Sequence, residues 1–477
     1  MKYEANIVVI GAGSAGLVSA YIAAAVKAKV ILIERHKMGG DCLNTGCVPS
    51  KALLRSAKVA NYMHRAEEFG LQAVPVKPMF KKIMQRVQRV IEEIEPHDSI
   101  ERYTELGVEC VTGEAEILDK HTVKVGDREI TAKSIIIAAG AGPFVPPIEG
   151  LDKVGYLTSD NVWELTEQPK RLVVLGGGPI GCELSQAFAK LGSEVTIVEM
   201  MGQLMGREDS DVANHITDTF TTNGIRVLIN HKAVKFTNDG EKVLHCETEN
   251  GIVEVPFDEV LVAVGRRANS AGMKLEKLGI KLRRNGTIET DDYLRTAVPN
   301  IFACGDITGP YQFTHTAAHQ AWYAVVNALF GFARKFRVDY RVIPWATFTM
   351  PEVARVGLNE TDAKEKGIDY EVTRYGIDDL DRAIADGEAH GFIKVITPRG
   401  KDTILGVTIV GHHAGDLISE YVLAMKHKLG LNKILGTIHL YPSLAESNKY
   451  VAGNWKRAHQ PLTLLKWVEK LHAWRRS

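Results

Sequence analysis

The run Ile7-Val-Val-Ile10-Gly11-Ala-Gly13-Ser-Ala-Gly16 decides how the chain begins to fold. Four apolar residues of strand character lead straight into three glycines spaced for a tight turn. A second apolar run, Val30-Ile-Leu-Ile33, ends in Glu34. Strand, glycine turn, helix, strand and acidic residue form the fingerprint of a Rossmann-like dinucleotide-binding unit. Each part has a mechanical reason. Gly11 makes the turn, Gly13 lets backbone approach a pyrophosphate, and Gly16 lets helix and strand pack closely. The helix N-terminus faces the phosphates. Glu34 is placed to accept hydrogen bonds from a ribose diol.

The plan recurs. Arg171-Leu-Val-Val-Leu175 reads as a strand, Gly176-Gly-Gly178-Pro-Ile-Gly181 as the turn, and Val195-Thr-Ile-Val198 as a strand ending in Glu199. The acidic residue lies 23 positions after the first glycine in both copies. One glycine-rich turn is weak evidence, since such turns occur by chance; two complete copies are strong evidence. Two units imply two dinucleotides. A tightly held flavin and a diffusible nicotinamide form the natural pair, because hydride passes readily between them. The second site reads as built for NAD. Glu199 repels a 2′-phosphate, and the next arginine, Arg207, is eight residues on. A loop that brought Arg207 or Arg226 close would admit NADP instead.

The totals limit what else the chain can be. It has 477 residues, enough for two to four domains. Lys plus Arg and Asp plus Glu number 58 each, so no global field draws in nucleic acid. Residues 5–26 carry no charge and imitate a membrane span. The glycines at 11, 13 and 16 break that run into a short strand and a helix rich in small residues, so we expect a soluble, cytoplasmic protein. After Tyr340, strand-like runs at 391–396 and 404–410 precede helix-like segments from 414 and 444, which suggests an α+β domain.

Two of the six cysteines, Cys42 and Cys47, stand in Gly39-Gly-Asp-Cys-Leu-Asn-Thr-Gly-Cys-Val-Pro-Ser-Lys51. A zinc site needs about four ligands. Cys110, Cys182, Cys246 and Cys304 are isolated singles, and the adjacent His412 and His413 are expected to diverge, so no metal site is expected. A structural staple is disfavoured in a reducing compartment. Geometry favours a redox pair. In a regular helix, positions i and i+5 are about 7.5 Å apart along the axis alone. A disulfide needs Cα atoms within about 7 Å. The segment must bend to close the bond, and Thr45-Gly46 is where it can. A bond closed under strain is easier to reduce. Lys51 can add positive charge and favour a thiolate.

Here the chain resembles the flavoprotein pyridine nucleotide–disulfide oxidoreductases, nearest the dihydrolipoamide dehydrogenase and mercuric reductase branch. The two glycine turns, the Gly39–Lys51 segment, Val264-Gly-Arg266, Ile301-Phe-Ala-Cys-Gly-Asp306 and Phe348-Thr-Met-Pro-Glu352 carry the resemblance, which spans nearly the whole chain. It implies FAD and NAD domains plus a C-terminal α+β dimerisation domain. The expected division is residues 1–148 and 271–340 for FAD and the central part, 149–270 for NAD, and 341–477 for dimerisation. It implies that NADH reduces FAD, which reduces the Cys42–Cys47 disulfide. Cys47 would lie nearer the flavin as the charge-transfer thiolate, and Cys42 would attack substrate. Lys51 would pair with Glu183 beside the flavin, although both read otherwise as ordinary surface charges. Asp306 would contact the ribitol chain, or else simply cap its turn. Further cofactor contacts are implied at Gly113, Gly140, Gly265 and His315, with Ala139 replacing the family's threonine before Gly140. A homodimer is implied, each C-terminal segment completing the partner's site.

One departure matters. Disulfide-reducing members carry a histidine directly before a proline, with a carboxylate four residues beyond the proline. Here the stretch is His439-Leu-Tyr441-Pro442-Ser-Leu-Ala-Glu446. Glu446 is in place, but tyrosine stands where histidine is expected. Tyrosine, with an ordinary pKa near about 10, is a poor base at neutral pH. His439 would share a face with Tyr441 if the segment were extended, or serve as an ordinary packing histidine. Mercuric reductases carry a C-terminal cysteine pair, and this chain has no cysteine after Cys304. The acceptor is therefore open: a disulfide with His439 or water replacing the base, a metal ion, quinone or other oxidant, or none beyond slow electron carriage. Residues 460–477 combine Leu462, Leu464, Leu465, Trp467, Val468, Leu471 and Trp474 with Lys466, Lys470, Arg475 and Arg476. They read as an amphipathic helix that packs on the dimer or touches an anionic membrane or membrane-bound partner.

Overall fold

The computed structural model describes residues 2–73 and 75–477. The chain divides into two compact units: residues 1–204 with 220–339, and 205–219 with 340–477.

In the first unit each fingerprint forms as read. Ala5–Ile10 is a strand, Ser14–Ala25 a helix and Val30–Glu34 the next strand. Ile7, Val8 and Val9 are fully buried. Successive strand residues face opposite ways, so both faces of this sheet are covered, which is why its strand is a continuous apolar run. Gly16, Ser19, Ala20, Ala23 and Ala24 are the buried side of the helix, small enough for close packing. That resolves the uncharged run at residues 5–26. No helix among the described residues is long and apolar enough to cross a membrane.

The sheet runs Val108–Thr112, Val30–Glu34, Ala5–Ile10, Arg128–Ile137, all parallel, and Ile301–Ala303 lies parallel beside the last. Ala303 pairs with Ile137, which pairs with Ile10. Register alone therefore brings Cys304-Gly305-Asp306 level with the turn at Gly11. The second copy forms a four-stranded parallel sheet ordered Arg226–Leu228, Glu194–Val198, Arg171–Leu175, Glu259–Val262. An antiparallel meander over residues 232–257 packs Phe236, Leu244, Val255 and Phe257 against it.

The second unit is a five-stranded antiparallel sheet ordered Pro344–Thr347, Glu352–Gly357, Gly406–Gly411, Phe392–Pro398, Tyr370–Gly376. Helices Ala414–Lys426 and Glu446–Ala458 add Tyr421 and Trp455 to its core. This is the α+β arrangement expected from strands followed by helices. Segment 205–219 joins it through Lys394, only 2% exposed, whose Nζ lies 2.8 Å from both Asp209 and Asp211 and 3.2 Å from Glu360. Burial alone would discharge this lysine; the carboxylates outweigh it and hold its pKa above the usual value.

Candidate active site

The cysteine segment is two helices and a break. Gly40–Asn44 carries Cys42, and the 18-residue helix Cys47–His64 starts on Cys47. The chain leaves the helix at Thr45 and Gly46, as the spacing predicts. Asp41 fixes the break. Its carbonyl accepts from the amides of Thr45 at 2.9 Å and Gly46 at 2.6 Å, and its carboxylate from the Thr45 hydroxyl at 2.6 Å. Gly40 takes a φ of +57° and faces the first glycine turn so closely that a Cβ would stand 2.6 Å from the Gly13 Cα. The cysteines are thereby laid against the first dinucleotide unit.

Both cysteines are free thiols, Cys47 exposed and Cys42 half-buried. Their pKa values are pushed in opposite directions. The hydrogen bond from Cys42 lowers the pKa of Cys47; burial opposes it, while the hydroxyl of Thr314 at 3.4 Å and the charge of Lys51 assist, and the result is about 6. The same bond, with burial, pushes Cys42 far above the ordinary thiol range. The start of a long helix also favours negative charge. Both the hydrogen bond and the helix start thus favour negative charge on Cys47 over Cys42.

Lys51 lies one turn further along the helix. Its Nζ is 2.8 Å from Oε2 of Glu183, which is buried on the helix Pro179–Lys190 of the second fingerprint. The pair ties the cysteine helix to the second dinucleotide unit. The reading of these two residues as ordinary surface charges does not describe Glu183.

The fingerprints repeat each other atom for atom. Glu34 accepts from the amides of Ala12 at 2.7 Å and His36 at 2.8 Å; Glu199 accepts from Gly177 and Met201, both at 2.7 Å. Gly11 and Gly176 take φ of +99° and +102°, and a Cβ on either would strike a backbone oxygen at 2.5 Å. Gly16 and Gly181 lie against the carbonyls of Gly11 and Gly176. Neither following helix has a side-chain cap at Gly13 or Gly178, so the leading amides stay available for phosphate. These features fit two dinucleotides. Arg226 pairs with Thr196, three residues before Glu199 on a parallel neighbour, so it sits toward the other end of the strand.

The remaining expected contacts are divided between the turns: Gly140 follows Ala139, which borders Gly11, and Gly265 follows Val264, which borders Gly176. The amide of Gly113 donates to the Glu34 carbonyl at 2.8 Å. Gly140 accepts from the amide of Asn269 at 3.0 Å, and Gly265 from that of Phe144 at 2.9 Å. Asp306 is pushed up to about 6 by burial, against the pull of Arg266 and with a push from Asp41. His315 is exposed and stacks on Phe313, ring centroids 5.4 Å apart; its neighbour Thr314 is what reaches Cys47.

Sequence reasoning missed three participants. Thr314 is 267 residues from the thiol it touches. Arg266 bridges Asp41 at 2.8 Å and Asp306 at 3.8 Å, linking the residue before Cys42 to the Ala-Cys-Gly-Asp loop. Asp41 organises the break. The only signal for each was adjacency to a residue already chosen: His315, Gly265 and Cys42.

The segment around Tyr441, in the second unit, forms no strand, and His439 is the ordinary packing histidine of the two readings. The His439 side chain is buried, its Nε2 is 3.0 Å from Glu420, and its Nδ1 is 3.0 Å from the Thr437 carbonyl, so both ring nitrogens are engaged. Tyr441 is 64% exposed and donates to Asp381 at 3.2 Å, a bond that raises its pKa. Glu446 is buried and accepts instead from the Ser443 amide and the Tyr450 hydroxyl. His412 and His413 do not diverge: their rings meet edge to face at 4.2 Å. Even so, no group of three metal-ligating side chains exists among the described residues.

Residues 5–321 match the pyridine nucleotide-disulphide oxidoreductase family, and residues 343–452 match its dimerisation domain. The chain belongs to that family. Its flavoproteins bind FAD and use NAD(P)H, and its dimerisation domain supports a homodimer. The chain is 38% identical to dihydrolipoyl dehydrogenase of Chlamydia muridarum over 454 residues, 94% of this chain and 96% of that one. It is 34% identical to mercuric reductase of Bacillus cereus over 450 residues, 94% and 71% of the two chains. Among solved structures it resembles the HOCl-induced flavoprotein disulfide reductase RclA of Escherichia coli, with a TM-score of 0.84, 28% identity, and coverage of 94% and 99%. That relative has also been solved as a Cu(II) complex.

Proposed function

We propose that the chain is an NADH-dependent reductase that loads electrons onto Cys42 and Cys47 and delivers them to a soft metal ion. The observation that carries this reading is the dithiol's setting: Cys42 and Cys47 on either side of the Thr45–Gly46 break, the Thr314 hydroxyl 3.4 Å from Cys47, and the Lys51–Glu183 pair at 2.8 Å on the same helix, a setting that lowers the pKa of Cys47. FAD, cradled at Gly11, Gly13, Gly16 and Glu34 with Asp306 near its ribitol, would supply two electrons taken as hydride from a nicotinamide at Gly176, Gly178, Gly181 and Glu199. The choice of NADH rests on Glu199, followed by Met200, Met201 and Gly202 rather than basic residues.

Delivery to a metal needs only what this chain provides. Soft thiolates favour ions such as Cu(I). When the Cys42–Cys47 bond re-forms, two electrons leave, two Cu(II) ions take one each, and the proton of Cys42 passes to solvent. Disulfide exchange asks for more, because the departing thiolate of the substrate must be protonated. His439 has no free nitrogen for that task, and Tyr441 is held by Asp381 with a raised pKa. The relatives named mercuric reductase support the same class of acceptor, and RclA, titled a disulfide reductase, has been solved with Cu(II) bound.

An anaerobic panel with NADH or NADPH as donor and Cu(II), Hg(II), a quinone and lipoamide as acceptors tests the reading. We expect NADH to outperform NADPH and a metal ion to outperform lipoamide by about 100-fold, the usual contribution of one acid–base group. Lipoamide as the best acceptor would overturn it.

A further inference from the structure

The last helix, Leu462–Arg476, has no buried residue. Packing within the domain ends just before it, where Trp455 and His459 both bind Glu371. The family's dimerisation domain ends earlier still, at residue 452. The helix thus lies outside the matched dimerisation domain.

Its surface is sorted. Leu464, Trp467, Val468, Leu471 and Trp474 recur at helical spacing and make one apolar stripe. Trp467 and Trp474 are 70% and 73% exposed, two turns and about 10.5 Å apart along the axis. Lys466 and Lys470 flank the two tryptophans, and Arg475 and Arg476 close the end. Residues 456–477 carry six Lys or Arg against one acidic residue, Glu469, in a chain whose formal charge is zero. Exposed tryptophans between leucines, beside a local basic cluster, are poorly matched to water. They match the interfacial layer of an anionic bilayer, where indole rings settle at the headgroups and basic side chains meet lipid phosphates.

We propose that this helix docks the enzyme on anionic membrane surfaces, lying in the plane of the interface with Trp467, Trp474, Leu464 and Leu471 inserted. The proposal is independent of the electron acceptor.

The test uses the full-length holoenzyme with phosphatidylcholine vesicles and with mixed phosphatidylcholine–phosphatidylglycerol vesicles. Co-sedimentation and tryptophan emission are the readouts, with subunit mass followed by sedimentation velocity. We expect binding to the anionic vesicles, a blue-shifted emission, and release at high salt. Each basic charge removed weakens partitioning about fivefold, so K466Q/K470Q weakens it about 25-fold. W467A/W474A abolishes it while NADH oxidation and dimer mass stay unchanged. No binding by the wild type, or equal binding to neutral and anionic vesicles, overturns the proposal. So does conversion of W467A/W474A to a monomer, which assigns the helix to the subunit interface.

Discussion

The Gly39–Lys51 segment and the His439–Glu446 segment carry equally recognisable motifs, yet their side chains find different kinds of partner. In the first, Cys47 meets the Thr314 hydroxyl and Lys51 meets Glu183. In the second, the proline and carboxylate stand at the right spacing, but Tyr441 turns to Asp381, Glu446 to Ser443 and Tyr450, and His439 to Glu420. The difference teaches that spacing survives the loss of a chemistry. A dithiol needs its bend and its helix start, which backbone hydrogen bonds to Asp41 supply. An acid–base pair needs the acid–base side chain itself.

The comparison breaks most completely at Cys47. Cys47→Ser should bring turnover with every acceptor to background while NADH still bleaches the flavin absorbance; retained turnover would detach the dithiol from the reaction. Lys51→Met should lower stability by about 1 kcal/mol, because the pair it forms with Glu183 is open to solvent on the lysine side, and the shift in the thermal midpoint reports it. Tyr441→His should raise lipoamide reduction about 100-fold, since it restores the group the second segment lacks. If kcat with lipoamide does not move, the missing histidine is not what limits that reaction.

The pH dependence sharpens the first segment. The pKa of Cys47 is lowered to about 6, so its thiolate persists above that pH and is lost as pH falls through it. Alkylation of the reduced enzyme by iodoacetamide should therefore fall off with a midpoint near about 6. A midpoint near the ordinary value of about 8.5 would mean that the hydrogen bond from Cys42 does not lower it. Tyr441→Phe should have the smallest effect of all. Its side chain is exposed, and differential scanning fluorimetry should show an unchanged midpoint.

The legible parts of this protein are those set by local spacing. Both fingerprints can be read because strand, turn, helix and acid lie within one βαβ stretch, and the bend at Thr45-Gly46 follows from helix rise alone. Lys51 with Glu183 came only from family resemblance, since 132 residues separate them. Thr314 and Arg266 were hidden for the same reason: each lies more than 200 residues from the side chain it reaches in the cysteine segment, and such long-range closure leaves no periodic trace. The packing of His439 was one of two readings, but its partner, Glu420 on the helix Ala414–Lys426, could not be named from spacing.

The central claim is that electrons from NADH come to rest on Cys42 and Cys47. Counting thiols decides it: the air-oxidised holoenzyme is denatured and titrated before and after anaerobic reduction with NADH. The account predicts two additional thiols per chain after reduction, both lost in a Cys42→Ser, Cys47→Ser double variant. An unchanged thiol count in an enzyme whose flavin is fully reduced would contradict it.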